Sequence, residues 1–182
     1  MVGERPDEES FHAYVSARRG ALLRSAYLLT GDHHAAEDLV QTALFKTAMR
    51  WRRVAAGGDP EPYVRRVLYN EHVSAWRRRR HVTEVAVPPP ERAGVGAGWD
   101  DRVVLQEALA RLTPKQRAVL VLRYFEDLTE VQTAAVLGCS PGTVKSQTRH
   151  ALERLRVLAP DLVADPDRGS FTHVKPATEV TR

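Results

Sequence analysis

The stretch TEVQTAAVLGCSPGTVKSQTRHALERLRVL, residues 129–158, decides how the rest of the chain is read. Thr129 followed three residues on by Gln132 is a capping box, which predicts a helix opening there. Gly138 supplies a left-handed turn to end that helix, and Ala134, four residues earlier, is small enough to let a second helix cross closely. Ser140-Pro141 starts the second helix, a side-chain cap followed by a proline whose missing N–H is no loss at the first helical position. Val136, Val144 and Leu152 are expected to fill the junction. Thr143, Lys145, Ser146, Arg149 and His150 then stand near the N-terminus of the second helix, the end that a helix-turn-helix lays in the major groove. An ordinary helical hairpin with solvated polar residues is the rival reading. Glycine, alanine, cap and basic face at the required spacing favour DNA binding.

Working outward, apolar residues recur at helical spacing along most of the 182 residues and strand-like alternation is absent. The fold class is therefore all-α, as two small helical domains joined by a flexible linker. The second domain, residues 99–158, adds a helix from about Trp99 to Arg111 and another opening at the capping box Thr113-Pro114-Lys115-Gln116. Before it, Pro88-Pro89-Pro90 and three glycines make residues 81–98 a linker that no packed helix would tolerate. The first domain, residues 8–80, begins with a helix from about Ser10 to Leu29 that stops at Thr30-Gly31. Asp32 caps a second helix running to about Trp51, with Ala36, Leu39, Val40, Ala43, Leu44 and Thr47 on one face. A loop over Val54 to Pro60 precedes a third helix from about Pro62 to Arg80, with Tyr63, Val67 and Val73 inward. Residues 159–182 hold three prolines and no periodicity, and are expected to form a disordered tail.

Charge separates along the chain more than the net +4 conveys. Residues 1–80 carry +4, 81–111 carry −2, 112–159 carry +3 and 160–182 carry −1. Two basic blocks thus flank an acidic spacer, a pattern suited to a polyanion partner. In the first block Tyr69 and Trp76 are interleaved with Arg65, Arg66, Arg77, Arg78, Arg79 and Arg80, a set suited to unstacked bases and phosphates. A solvated arginine run over core aromatics is the competing reading for those residues taken alone.

Three segments in this order resemble one family. They are Ala36-Glu37-Asp38-Leu39-Val40-Gln41, the Tyr63 to Arg80 helix ending in four arginines, and Leu137-Gly138-Cys139-Ser140-Pro141-Gly142-Thr143-Val144-Lys145-Ser146. Together, over residues 8–158, they resemble bacterial extracytoplasmic-function sigma factors of the sigma-70 family, most of all the actinobacterial SigE-type branch. The resemblance implies a sigma-2 and a sigma-4 domain that bind core RNA polymerase, recognise the minus-ten and minus-thirty-five promoter elements and promote DNA opening. It assigns Asp38, Leu39, Gln41 and Leu44 to polymerase docking. It assigns Tyr69, Asn70, Trp76, Arg77, Arg78, Arg79 and Arg80, with the Val54 to Pro60 loop, to the minus-ten element. Thr143, Lys145, Ser146, Arg149 and His150 fall to the minus-thirty-five element. Many relatives carry an acid at the position of Ser74 and arginines at those of Gln147 and His150. An anti-sigma factor is a candidate third partner, one that would use the surfaces that bind polymerase.

Other classes fare poorly. No Gly-rich phosphate loop, HExxH or nucleophile motif is present, so neither catalysis nor a cofactor is expected. His33 and His34 beside Glu37 and Asp38 have a spacing that could ligate a metal, but in the first turn of a helix they read as capping chemistry. Cys139, alone, sits where a helix-turn-helix wants a small apolar residue. No apolar run approaches the ~20 residues that cross a bilayer, and the acidic N-terminus is unlike a signal peptide, so a cytoplasmic, membrane-free protein without a small-molecule substrate is expected. The remaining rivals are a stand-alone helix-turn-helix regulator, for which no dimerisation helix is evident, and an adaptor with a vestigial second domain.

Overall fold

The structure is a computed structural model that describes residues 6–82 and 101–160; the first two residues of the expected 81–98 linker are helical, as the end of a longer α4, and the rest of it up to 98 and the tail from 161 lie outside the described residues. Among the described residues all regular structure is helical. Helix α1 (Pro6–Thr30) folds back on α2 (His33–Ala48), and α3 (Trp51–Ala56) leads to α4 (Glu61–Val82). These make the first lobe. The second consists of α5 (Asp101–Ala110), α6 (Pro114–Leu120), a π-turn (Val121–Phe125), α7 (Glu130–Leu137) and α8 (Pro141–Leu158).

The turns form for the reasons their residues suggest. Gly31 has φ +76° and donates its N–H to Tyr27 O, and the Asp32 carboxylate accepts from Ala35 N at 2.8 Å to start α2. Both capping boxes, at Thr113 and Thr129, are complete, and Gly138 takes φ +65° at the end of α7. Ala134 and Val144 are buried with Val119 at the α7–α8 crossing, whereas Val136, expected there, is buried in the core shared with the first lobe because α7 also packs on α4. Leu152 packs elsewhere, on the cluster of Ala108, Leu109, Leu112 and Leu120, because it lies two turns beyond Val144, where α8 has left α7 for α5 and α6.

Two expectations for the first lobe are corrected. Part of the expected Val54 to Pro60 loop is helical, because Trp51 is buried edge-on against Phe11, with its indole N–H on Ser10 Oγ at 2.8 Å, and so anchors a separate short helix. In α4 the buried residues are Val64, Leu68, Tyr69 and His72, whereas Tyr63, Val67 and Val73 are only half-buried. The helix is rotated by about one residue from the expected register because it is covered on two sides, by α2 and by α6 and α7 of the second lobe.

That second cover is the main feature absent from the expectation of two separate bundles. Leu22, Leu29, Leu39, Val64 and Leu68 share one core with Ala118, Val121, Leu122 and Val136, while Leu28 packs into the second lobe's own cluster. Second-lobe side chains also finish α1: Gln106 donates to Tyr27 O at 2.7 Å and Arg117 to Leu29 O at 2.5 Å. A helix C-terminus leaves carbonyls without intrahelical partners and favours positive charge. Burial pushes the Arg117 guanidinium down to about 10, still charged at neutral pH.

Gly138 and Gly20 differ in sign. At Gly138 a Cβ meets open space but the backbone is left-handed, so Gly138→Ala should cost ~1–2 kcal/mol in urea unfolding. Gly20 lies in exposed α1 with ordinary contacts around a Cβ, so Gly20→Ala should instead gain ~0.5–1 kcal/mol.

Candidate nucleic-acid and docking surfaces

Helix α8 begins on Ser140, whose Oγ accepts from Thr143 N at 3.1 Å. Its buried stripe is Val144, Ala151 and Leu155. At 100° per residue, Lys145, Ser146, Arg149, His150 and Thr143 fall on the opposite face. Four of them are exposed and Ser146 is half-buried, its hydroxyl donating to Thr143 O at 3.0 Å. Arg149 and His150 both lie near Glu153, at 3.8 and 3.4 Å. Among the described residues no ion pair is seen for Lys145. The face therefore offers donors from its N-terminal half and is trimmed by one acid at its far side, an arrangement that can meet base edges and phosphates together.

Helix α4 presents two adjacent stripes. Arg66, Asn70 and Arg77 share one and are exposed; Arg65, Tyr69, His72 and Trp76 share the next. Trp76 is 38% exposed, but Tyr69 is wholly buried and donates its hydroxyl to Glu126 at 2.7 Å. Burial, then the Glu126 carboxylate beside it, hold the Tyr69 phenol well above the usual tyrosine range. Arg78 is exposed and lies 3.8 Å from Glu71, which Lys46 also engages. The side chains of Arg79 and Arg80 lie outside the described residues.

Helix α2 turns Asp38 and Gln41 outward, whereas Leu39 is in the core and Leu44 is packed against it. Next to the outward pair stand Phe45, 66% exposed, and Met49, 74% exposed. Sequence reasoning missed these two. Their signal was an apolar pair at i, i+4 lying off the buried stripe of Ala36, Val40, Ala43 and Thr47. Between α2 and α4 runs a groove of about 160 Å³ with Asp38, Thr42, Glu71, His72 and Arg78 in its walls.

The charges beneath α4 were also unforeseen. Glu61 accepts from Tyr14 Oη at 2.8 Å and from Arg18 at 2.9 and 2.5 Å, with Arg65 at 3.3 Å. Burial alone would raise the Glu61 carboxyl; the bonds from Arg18 and Tyr14 and the charge of Arg65 outweigh it, and the group lies below its usual range. Among the described residues no cluster of His, Cys, Asp and Glu could hold a metal, and no helix is long and apolar enough to cross a membrane.

Known proteins carry the same order of parts. Residues 6–82 match the Sigma-70 region 2 family and residues 102–155 match Sigma-70, region 4. The RNA polymerase sigma-E factor of Streptomyces avermitilis is 44% identical over 149 residues, covering 80% of this chain and 83% of the relative. That of Streptomyces coelicolor is 42% identical over 158 residues, covering 85% and 89%. The ECF RNA polymerase sigma factor SigL of Mycobacterium tuberculosis is 31% identical over 167 residues, covering 82% and 89%. Among solved structures, the sigma factor RpoE of Bartonella quintana in complex with the anti-sigma factor NepR superposes with a TM-score of 0.68 at 28% identity, covering 84% of this chain and 98% of that one. CnrH in complex with the cytosolic domain of CnrY shares the fold, with a TM-score of 0.58 at 21% identity over 86% of this chain and 90% of that one.

The sign of the Glu61 shift sets an acid limb. A carboxylate lowered in the folded chain stabilises it above the ordinary value near 4.5 and loses that contribution as pH falls through the folded value. Thermal melts of the Glu61→Gln variant should therefore fall less steeply below about pH 4.5 than those of the unmodified chain.

Proposed function

The chain belongs to the sigma-70 family as an RNA polymerase sigma factor of extracytoplasmic-function type, and from that premise we propose which of its surfaces performs each part of initiation. It acts with core RNA polymerase at promoters, as a stoichiometric subunit. Its own contribution is recognition and strand capture, with no bond made or broken, and its place of work is the cytoplasm, where polymerase is.

The observation that carries the assignment is the exposed, capped N-terminal half of α8, with Lys145 and Arg149 opposite a fully buried stripe. A helix held that rigidly from behind can present a fixed set of donors to the major groove. Thr143, Lys145, Ser146, Arg149 and His150 are its reading set for the minus-thirty-five element. On α4, Asn70, Arg77 and Arg78 already face solvent, as does Trp76 in part. With Arg79 and Arg80 they form the minus-ten surface, which Tyr69, buried in this structure, would join only once uncovered; there aromatic rings stack unpaired bases and guanidinium groups hold phosphates. Opening duplex DNA costs stacking energy, and a preformed single-strand surface recovers part of it.

Asp38 and Gln41 are the polar docking contacts for polymerase. Leu39 and Leu44 act behind them as core support, and Phe45 and Met49 supply the apolar contact that those leucines are too buried to make. An anti-sigma factor, such as the one bound to the Bartonella relative, would compete for this face. The two functional units are residues 8–80 and 99–158, with 81–98 between them and 159–182 beyond. A stand-alone regulator would have no use for an exposed Phe45 and Met49 beside Asp38.

Two experiments test these roles. Lys145→Ala or Arg149→Ala should each cost ~1–3 kcal/mol of upstream-element binding and weaken the dependence of run-off transcription on that element; equal output from intact and scrambled upstream elements would discard the assignment. An Asp38→Ala/Gln41→Ala double variant should fail to co-purify with core polymerase while melting at an unchanged temperature. Retained polymerase would reject the docking face.

A further inference from the structure

Glu126 joins the lobes at the place where α4 should meet DNA. Its carboxylate accepts from Ser25 of α1 at 2.8 Å and from Tyr69 of α4 at 2.7 Å, and it is ion-paired with Arg65 of α4. The π-turn delivers it there. Glu126 N–H bonds back five residues to Val121 O, Leu128 N–H bonds back six to Leu122 O, and Asp127 takes φ +57° to close the turn. A non-glycine residue in the left-handed region is uncommon and is kept where the surroundings demand it.

The consequence is selective. Tyr69 is completely buried and the Arg65 side chain is 22% exposed; Glu126 of the second lobe engages both, sharing Arg65 with Glu61 of α4. Arg66, Asn70 and Arg77, one stripe over, stay exposed, and so do Thr143, Lys145, Arg149 and His150 on α8. The packed lobes thus cover part of the single-strand surface and leave the duplex-reading surface open.

We propose that this arrangement is a closed state of the sigma factor in which Glu126 stands in for a DNA phosphate, latching α4 to the second lobe until the lobes part. The proposal rests on the reading of α4 as the minus-ten surface. The chemistry is matched: a carboxylate offers Arg65 and Tyr69 the same anionic acceptor oxygens that a phosphate does. Strand and latch therefore compete for the same donors. Leu28 in the second lobe's cluster, and Gln106 and Arg117 on the last carbonyls of α1, make the closure more than one ion pair wide.

The test uses the full chain with Glu126→Ala, Glu126→Gln and, as an opener remote from the latch, Leu28→Asp. Small-angle scattering reads the radius of gyration, and fluorescence anisotropy reads binding of a labelled single-stranded oligonucleotide of about 12 nucleotides. Circular dichroism checks that helix content is kept. Glu126→Ala and Leu28→Asp should both expand the chain and raise oligonucleotide affinity severalfold, with Glu126→Gln between them and the unmodified chain. If both remain as compact as the unmodified chain and bind no more tightly, the latch is overturned. It is also overturned if they expand with unchanged affinity that still drops on Arg77→Ala, since α4 would then hold DNA without having been masked. If the expanded variants bind the oligonucleotide in a way indifferent to Arg66→Ala and Arg77→Ala, the reading of α4 itself fails, and the closed state masks no DNA surface.

Discussion

A line of alternating, part-buried charge ties the molecule together: Arg18 of α1, Glu61 and Arg65 of α4, then Glu126 of the second lobe. A charge taken out of water is tolerated only when paired and hydrogen-bonded. Each member here is paired on one or both sides, and Tyr14, Tyr69 and Ser25 fill the remaining acceptor positions of the two carboxylates. The line fixes how α4 is rotated, and that rotation decides which residues of α4 face solvent. Glu61 and Glu126 are the most buried members, so losing their cationic partners would leave the costliest unpaired charges of the line.

The recognition unit depends on different physics. The α7–α8 crossing is apolar and short-range, with Ala134 and Val144 buried against Val119 and Gly138 in the turn between the helices. Its outer face carries no buried charge, while the other side of α7 packs on α4 of the first lobe. One DNA surface is thus built into a local motif, while the other is governed by a contact between lobes. In the proposed closed state the α8 face stays open while part of α4 is covered.

Legibility followed range. The α7–α8 motif, both capping boxes, the Gly31 turn and the buried face of α2 are settled by neighbours within a few residues, so pattern and cap chemistry were sufficient. The register of α4 was misjudged because a helix covered on two sides has no single apolar stripe, and its buried set includes Tyr69 and His72. Phe45 and Met49 were passed over because the apolar part of docking was assigned to Leu39 and Leu44, which also stand on the buried face of α2, and only the packing shows which apolar side chains stay exposed.

The amino-acid sequence by itself determined the all-α class, the two-part order, the helix-turn-helix with its basic face and the family to which the chain belongs. Those follow from local rules: caps, glycine conformation, periodicity and the spacing of charged residues. Only the tertiary structure decided that the two lobes share a core, that Arg65 and Tyr69 are engaged by a carboxylate far along the chain, and that Phe45 and Met49 stay exposed on α2. The reason is that Ser25, Arg65, Tyr69 and Glu126 are separated by tens of residues and belong to no common pattern. Their meeting is a product of packing, and no local rule links them.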